Sequence, residues 1–81
     1  MIHFKKEFIE EIISADESNV ETIINRRMAQ LAEINVNGNL LHLFVSAMLY
    51  TFTELTEEDS LASGVRKNLT IAIKVFKRYE A

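Results

Sequence analysis

The chain contains four segments in which apolar residues recur every three or four positions, separated by short polar stretches. In the first, at about residues 3–14, the apolar side chains fall on one half of a helical circumference and most charged ones on the other. This pattern predicts an amphipathic helix. Its apolar stripe comprises Phe4, Phe8, Ile9, Ile12 and Ile13.

A second helix is predicted at about residues 19–34. Ser18 and Glu21 have the spacing of a capping box, in which the two side chains bond backbone N–H groups at the start of a helix. The apolar stripe that follows comprises Val20, Ile23, Ile24, Met28, Leu31 and Ile34. Arg27 lies in the middle of this stripe, which is an unusual position for a charged side chain.

Residues 34–53 contain no charged side chain, and three structures are considered for them: a membrane span, a β-hairpin and a helix. The mainly apolar part, residues 40–52, is shorter than the roughly 20 residues of a membrane span. Asn37-Gly38 is a strong hairpin signal, but the residues after it do not alternate as those of a strand do. A helix is therefore predicted at about residues 40–54.

As a helix, residues 40–54 are apolar around almost their whole circumference. Apart from Thr51, the uncharged polar side chains form one narrow edge made by His42, Ser46 and Thr53. Such a helix is typical of an element packed from several sides, so it is predicted to be the central helix of the fold. Gly38 is the expected left-handed cap of the preceding helix, and Asn39 the expected N-cap of this one.

The last segment predicts a helix at about residues 57–80. Thr56 is its expected N-cap, and the acidic side chains of residues 57–59 are expected at the positive end of its dipole. Gly64 falls inside this helix and is expected to mark a kink or a break. Residues 69–75 also alternate as a half-buried strand does, but the helical stripe is longer. That stripe comprises Leu61, Val65, Leu69, Ala72, Phe76 and Tyr79.

Composition supports an all-α fold of three to four helices. The 81 residues include no proline and only two glycines, and residues that favour helix are abundant. A chain of this length is expected to form one helical domain, residues 1–81. A cytoplasmic location is expected, because the lack of cysteine fits a reducing compartment and the glutamates among the first thirteen residues do not fit a signal peptide.

The sequence offers little catalytic or metal-binding chemistry. There are two histidines and no cysteine, and the acidic runs lack the ligand spacing of a calcium loop. His42 and Ser46 could pair as base and nucleophile, but no carboxylate is placed nearby to orient the histidine. No catalytic residue, metal site, cofactor or small-molecule substrate is therefore predicted, and the protein is expected not to be an enzyme.

Charge is distributed unevenly along the chain. Residues 1–65 carry four basic and eleven acidic side chains, whereas residues 66–81 carry five basic and one acidic. On a helix the five basic residues share one face, opposite the apolar stripe; they are Arg66, Lys67, Lys74, Lys77 and Arg78. Three roles remain open for this basic face: solubility, pairing with acidic side chains of the first helix or of residues 57–59, and contact with nucleic-acid phosphates.

The apolar surface is larger than so short a chain can easily bury, which predicts a partner. The candidate interface residues are Arg27, Leu49, Ile71 and Val75. The last three lie beside the main apolar stripes of their helices. The stem of Arg27 could lie along its own stripe with the guanidinium in water, or the guanidinium could pair with a carboxylate such as Glu54 of another chain.

These features together predict a small non-enzymatic protein that acts through protein–protein contact. A two-fold homodimer is the simplest closed assembly that covers surplus apolar surface, and a regulatory or accessory role is expected of it. The alternative is a nucleic-acid-associated regulator that uses the basic face of the last helix.

Overall fold

The computed structural model describes residues 2–34 and 39–80, with side-chain surroundings for residues 6–34 and 40–80. Four α-helices make up this part of the chain: α1 (Ile2–Ser14), α2 (Val20–Ile34), α3 (Asn39–Thr56) and α4 (Ser63–Glu80). A short 3₁₀ helix, Glu17–Asn19, precedes α2. No strand occurs in the described ranges, so the all-α prediction is confirmed.

The chain is helical up to Ile34 and again from Asn39, which excludes the hairpin. Residues 69–75 lie within α4, which excludes the strand considered there. The left-handed cap expected at Gly38 and the side-chain cap expected at Asn39 lie outside the described residues and side chains. Ser18, the first residue of the expected capping box, lies within the 3₁₀ helix that precedes α2. Asp16, just before that 3₁₀ helix, has an extended backbone. The helical periodicity of the sequence predicted the start of α2 to within one residue, but the sequence did not predict the 3₁₀ helix that precedes it.

The core draws on all four helices and has a cluster of phenylalanine rings at its centre. The ring centroid of Phe76 lies 6.0 Å from that of Phe8, 6.1 Å from that of Phe44 and 5.9 Å from that of Phe52. The first two pairs are edge-to-face and the third is stacked, and ring pairs of both kinds are favourable beyond the area they bury. The fully or nearly buried apolar residues are Phe8, Ile12, Val20, Ile24, Met28, Leu31, Val45, Met48, Phe52, Leu69, Ala72, Val75 and Phe76.

The central helix is α4, and the prediction that residues 40–54 occupy the centre is wrong. Within the described residues, α4 packs against α1, α2 and α3, whereas α3 packs mainly against α4 and to a lesser extent against α2. Apolar composition shows how much of a helix could be buried. It does not show which sides the neighbouring helices cover, and α3 is covered on one side only.

Two side chains of α4 satisfy backbone carbonyl groups at the ends of other helices. The Asn68 side chain is 3% exposed, and its Nδ2 donates to the carbonyl oxygens of Ile12 at 3.0 Å and Ala15 at 2.7 Å, with a longer contact to Ile13 at 3.4 Å. Because the last carbonyls of a helix have no intrahelical donor, this amide closes the end of α1. It also fixes α1 on α4.

Arg66 does the same for α3. Its two terminal nitrogens donate to the carbonyl oxygens of Thr56 and Glu58, the latter at 2.7 Å. Thr56 is the last residue of α3, so the predicted role of this residue as the N-cap of the next helix is wrong. Residues 57–62 connect the two helices, and Gly64 lies in the first turn of α4. No kink in mid-helix is therefore associated with this glycine.

Two residues at the ends of predicted stripes are more exposed than expected. Ile34, at the end of α2, is 71% exposed. Tyr79 is 42% exposed, and its hydroxyl donates to Oδ1 of Asn25 at 2.6 Å. Residues near the ends of a helix bundle have fewer neighbouring helices to cover them. A helical wheel shows the direction of a side chain but not its position along the bundle.

Candidate protein interface on α3

Two large apolar side chains are exposed on the same side of α3. Leu43 is 64% exposed and Tyr50 is 70% exposed. They are seven residues apart, which is about two helical turns and roughly 10 Å along the axis. Ala47, between them, is also exposed, so these three residues form a continuous apolar ridge.

The periodicity of α3 places this ridge away from the core. Val45, Met48 and Phe52 point inward and are buried, and at 100° per residue the opposite side of the helix faces outward. His42, Ser46 and Thr53 are exposed beside the ridge, as predicted for the polar edge. We call the exposed side of α3 the outer α3 face; it comprises His42, Leu43, Ser46, Ala47, Tyr50, Thr53 and Glu54.

The outer α3 face is uncharged over most of its length. No lysine, arginine, aspartate or glutamate occurs between Asn39 and Thr53, and Glu54 follows near the C-terminal end of the helix. Depletion of charge together with exposed aromatic and aliphatic side chains is typical of the core of a protein interface. His42 and Ser46 are both on this face, where they are open to solvent.

The sequence pointed to this helix but to other residues on it. Leu49, the predicted interface residue, is half-buried and packs against the core. The signal for Leu43 and Tyr50 was present, since both lie next to the polar edge on the helical wheel. Extending the solvent-facing arc by two positions would have included them.

The two predicted interface residues of α4 also have different surroundings. Val75 is 2% exposed and lies in the core, so its assignment to an interface is wrong. Ile71 is half-buried and packs against the core. Because α4 is surrounded by three helices, a side chain beside its main stripe still meets a neighbour.

Arg27 contacts α1 of its own chain. Its Nη2 donates to Oε1 of Glu11 at 3.4 Å, and its guanidinium carbon lies 5.4 Å from the centre of the Phe8 ring. The side chain is 25% exposed. The guanidinium thus combines a cation–π contact with an ion pair within the chain, where the sequence had suggested a guanidinium in water or one paired with another chain. The carboxylate partner seen here is Glu11, whereas Glu54 of a second chain was considered from sequence.

The basic face of α4 divides into engaged arginines and exposed lysines. Arg66 is bound to backbone carbonyls, and Arg78 donates to both carboxylate oxygens of Glu21, at 3.0 and 3.5 Å. The hydrogen bonds and the negative charge of Glu21 raise the pKa of Arg78 above its ordinary value. Lys67, Lys74 and Lys77 are exposed and belong to neither of the ion pairs found in residues 6–34 and 40–80.

A groove with a volume of about 610 Å³ lies at the start of α4. It is shallow and mixes both signs of charge, with Glu17 and Asp59 as well as Lys67 among its lining residues. Among residues 2–34 and 39–80, no three acidic or histidine side chains converge as a metal site.

The described helices are too short or too polar to cross a membrane. Comparison with known proteins adds no function by similarity, because no protein-family model, curated protein or solved structure matches this chain.

Proposed function

We propose that this protein is a non-enzymatic interaction protein that forms a homodimer through the outer α3 face, in a regulatory or accessory role. The observation that carries the proposal is the exposure of Leu43 and Tyr50, at 64% and 70%, on a helix face that carries no charged side chain before Glu54. Single exposed apolar residues are ordinary on protein surfaces. An aligned pair on one ridge, with charge confined to the C-terminal end of the helix, is what an association surface needs.

The free energy available from this ridge fits a weak dimer. Two such side chains per copy, each about two-thirds exposed, could contribute roughly 4–8 kcal/mol on burial between two copies. The loss of translational and rotational freedom costs about 4–15 kcal/mol. In the most favourable case the difference is about −4 kcal/mol, which corresponds to a dissociation constant of roughly 1 mM, so the ridge alone supports weak association.

Electrostatics favour this face over the others for self-association. Each copy carries a net charge of −3, so two copies repel wherever acidic surfaces meet. The outer α3 face brings no charged side chain close to the centre of a symmetric contact. Tyrosine is also among the residues that anchor interfaces, because it buries a large area at a small entropic cost.

Sedimentation velocity over a range of protein concentrations tests the proposal. The wild-type chain should shift from monomer to dimer as its concentration rises towards roughly 1 mM. Leu43→Glu should weaken the dimer at least tenfold, because two carboxylates would be brought into an apolar contact. Ala32→Glu is the matched control: residue 32 is exposed on α2, and its substitution should leave the dimer unchanged. A wild-type chain that stays monomeric at concentrations well above roughly 1 mM would contradict the proposal.

The structure gives less support to a nucleic-acid-associated role than the sequence did. Arginine is the residue best suited to bidentate phosphate contact, and Arg66 and Arg78 both donate to acceptors within the chain. The three exposed lysines are left for such a role, on a molecule whose net charge is negative.

A further inference from the structure

We infer that the two copies pair with their α3 helices antiparallel, so that Leu43 of one copy packs on Tyr50 of the other. This inference rests on the proposed homodimer and assigns its geometry. The two-fold axis would pass between Ser46 and Ala47, perpendicular to α3. The partner is thus a second copy of this chain, presented in one orientation.

Residue spacing leads to this geometry. In an antiparallel pair related by a two-fold axis, residues at equal distances on either side of the axis face each other. Leu43 and Tyr50 are equally far from the midpoint between Ser46 and Ala47, at roughly 5 Å along the helix. Each exposed leucine therefore meets an exposed tyrosine, and this happens twice in the dimer. Ala47 and Ser46, at the axis, have short side chains, so the two helices can approach closely there.

A parallel arrangement makes poorer contacts. It would place Tyr50 against Tyr50 and Leu43 against Leu43, so the larger rings would hold the helices apart at the smaller residues. The antiparallel arrangement matches one large and one smaller side chain at both contacts. This keeps the distance between the helix axes constant along the ridge.

The charge at the end of the outer α3 face also selects the antiparallel arrangement. Glu54 is exposed on the same side of α3 as the ridge. In a parallel pair the two Glu54 carboxylates would lie side by side and repel each other. In the antiparallel pair they lie at opposite ends, roughly 22 Å apart along the axis, which is more than a Debye length at physiological salt.

Each Glu54 then lies beside the start of the partner's α3, because that helix begins at Asn39 and residues 39 and 54 are equally far from the axis. A helix N-terminus carries a partial positive charge, which attracts a carboxylate. The two helix dipoles are also opposed in the antiparallel pair and aligned in the parallel one. Size and charge thus favour the same orientation for independent reasons.

Disulfide trapping tests the orientation cleanly, because the natural chain has no cysteine. Leu43→Cys and Tyr50→Cys chains, one of them carrying a size tag, are mixed and equilibrated in a glutathione redox buffer. The products are separated on a non-reducing gel. The antiparallel dimer should give mainly the mixed disulfide between the two variants. Homodimeric disulfides should be at least tenfold rarer, because like positions lie roughly 10 Å apart along the axis, beyond disulfide reach.

Ala32→Cys is the control for random collision, since residue 32 is exposed and lies on α2. Sedimentation of the unmodified chain in the same buffer separates the two proposals. If the chain is dimeric but forms Leu43→Cys or Tyr50→Cys homodimers preferentially, the antiparallel assignment is overturned and the proposed function stands. A dimer that yields no more disulfide than the Ala32→Cys control would place the interface elsewhere and overturn the assignment as well. If the chain is monomeric throughout, both proposals fail.

A charge-pair variant gives a second readout that does not depend on disulfide chemistry. Leu43→Lys and Tyr50→Glu chains should each self-associate at least tenfold more weakly than the wild type. Mixing them should restore a heterodimer, because the antiparallel pair brings the introduced lysine next to the introduced glutamate. No recovery on mixing, with both variants folded by circular dichroism, would count against this orientation.

Discussion

At the residue scale, Asn68 has the most consequential environment in the molecule. It is the buried polar residue among the described side chains. Its amide nitrogen donates to three backbone carbonyl oxygens, two in the last turn of α1 and one in the segment that follows. An amide nitrogen has two hydrogens, so the short bonds to Ile12 and Ala15 use both and the longer contact to Ile13 is shared. A buried polar residue of this kind is favourable only as long as its partners remain.

Asn68→Ala is expected to lower the free energy of unfolding by about 1–3 kcal/mol, because the part-buried carbonyl of Ala15 loses its short amide bond and the carbonyl of Ile12 keeps only the 3.3 Å bond from the Ala15 N–H. Asn68→Asp should lower it by at least as much at neutral pH, although the side chain keeps its size, since a carboxylate oxygen would then face carbonyl oxygens. Urea denaturation followed by circular dichroism measures both.

Gln30→Ala, at an exposed position of α2, is the control and should change the free energy of unfolding by less than about 0.5 kcal/mol. Equal effects of Asn68→Ala and Gln30→Ala would mean that the amide bonds contribute nothing beyond their replacement by water.

At the scale of elements, α4 holds the bundle together through both of its faces. Its apolar side contributes Leu69, Ala72, Val75 and Phe76 to the core, and Asn68 and Arg66 bind the ends of α1 and α3. Near its C-terminus, Arg78 and Tyr79 contact Glu21 and Asn25 of α2. The same helix therefore makes a polar contact with each of the other three, in addition to its apolar packing.

Arg66→Met should destabilise the fold by about 1–2 kcal/mol, and Arg66→Lys by about 1 kcal/mol, because one ammonium group cannot span the carbonyls of Thr56 and Glu58 as the guanidinium does. The loss should be local, so amide hydrogen exchange should accelerate most in the last turn of α3 and in residues 57–62. Lys67→Met, at the exposed neighbouring position, should alter neither quantity. A uniform acceleration across all four helices would contradict a local capping role.

At the scale of the whole molecule, the surface separates into the outer α3 face, which is uncharged up to Glu54 at its end, and charged faces elsewhere. The proposed dimer uses the outer α3 face, so the other acidic and basic side chains remain in water. Lys67, Lys74 and Lys77 stay available on α4, on the side of that helix away from the core. Salt therefore distinguishes the two functions considered for this protein.

The dimer dissociation constant should change less than about threefold between roughly 50 and 500 mM NaCl, with slightly tighter association at high salt because repulsion between the two negative copies is screened. Sedimentation equilibrium at several salt concentrations measures this. Binding to phosphates would instead weaken steeply as salt rises. A labelled DNA or RNA duplex that binds tightly at low salt and is released at high salt would revive the nucleic-acid role.

The sequence alone determined the local features of this protein. The three-to-four-residue period of the apolar residues predicted the helices, because a helix that is covered on one side needs apolar residues at that spacing whichever element covers it. The inward positions of Phe8, Ile24 and Leu69 follow for the same reason. The exposed polar edge of α3 was also predicted. Three polar side chains within one arc of a helix indicate a side that faces solvent, whichever elements cover the other sides.

Only the tertiary structure decided the features that depend on how the helices are arranged. It placed α4 at the centre, buried Val75 and exposed Leu43 and Tyr50. It also joined Asn68 to carbonyls more than fifty residues away and paired Arg27 with Glu11. A helical wheel reports the direction of each side chain from its own axis. The identity of the neighbour in that direction is set by the packing of whole helices, which depends on all of their surfaces together.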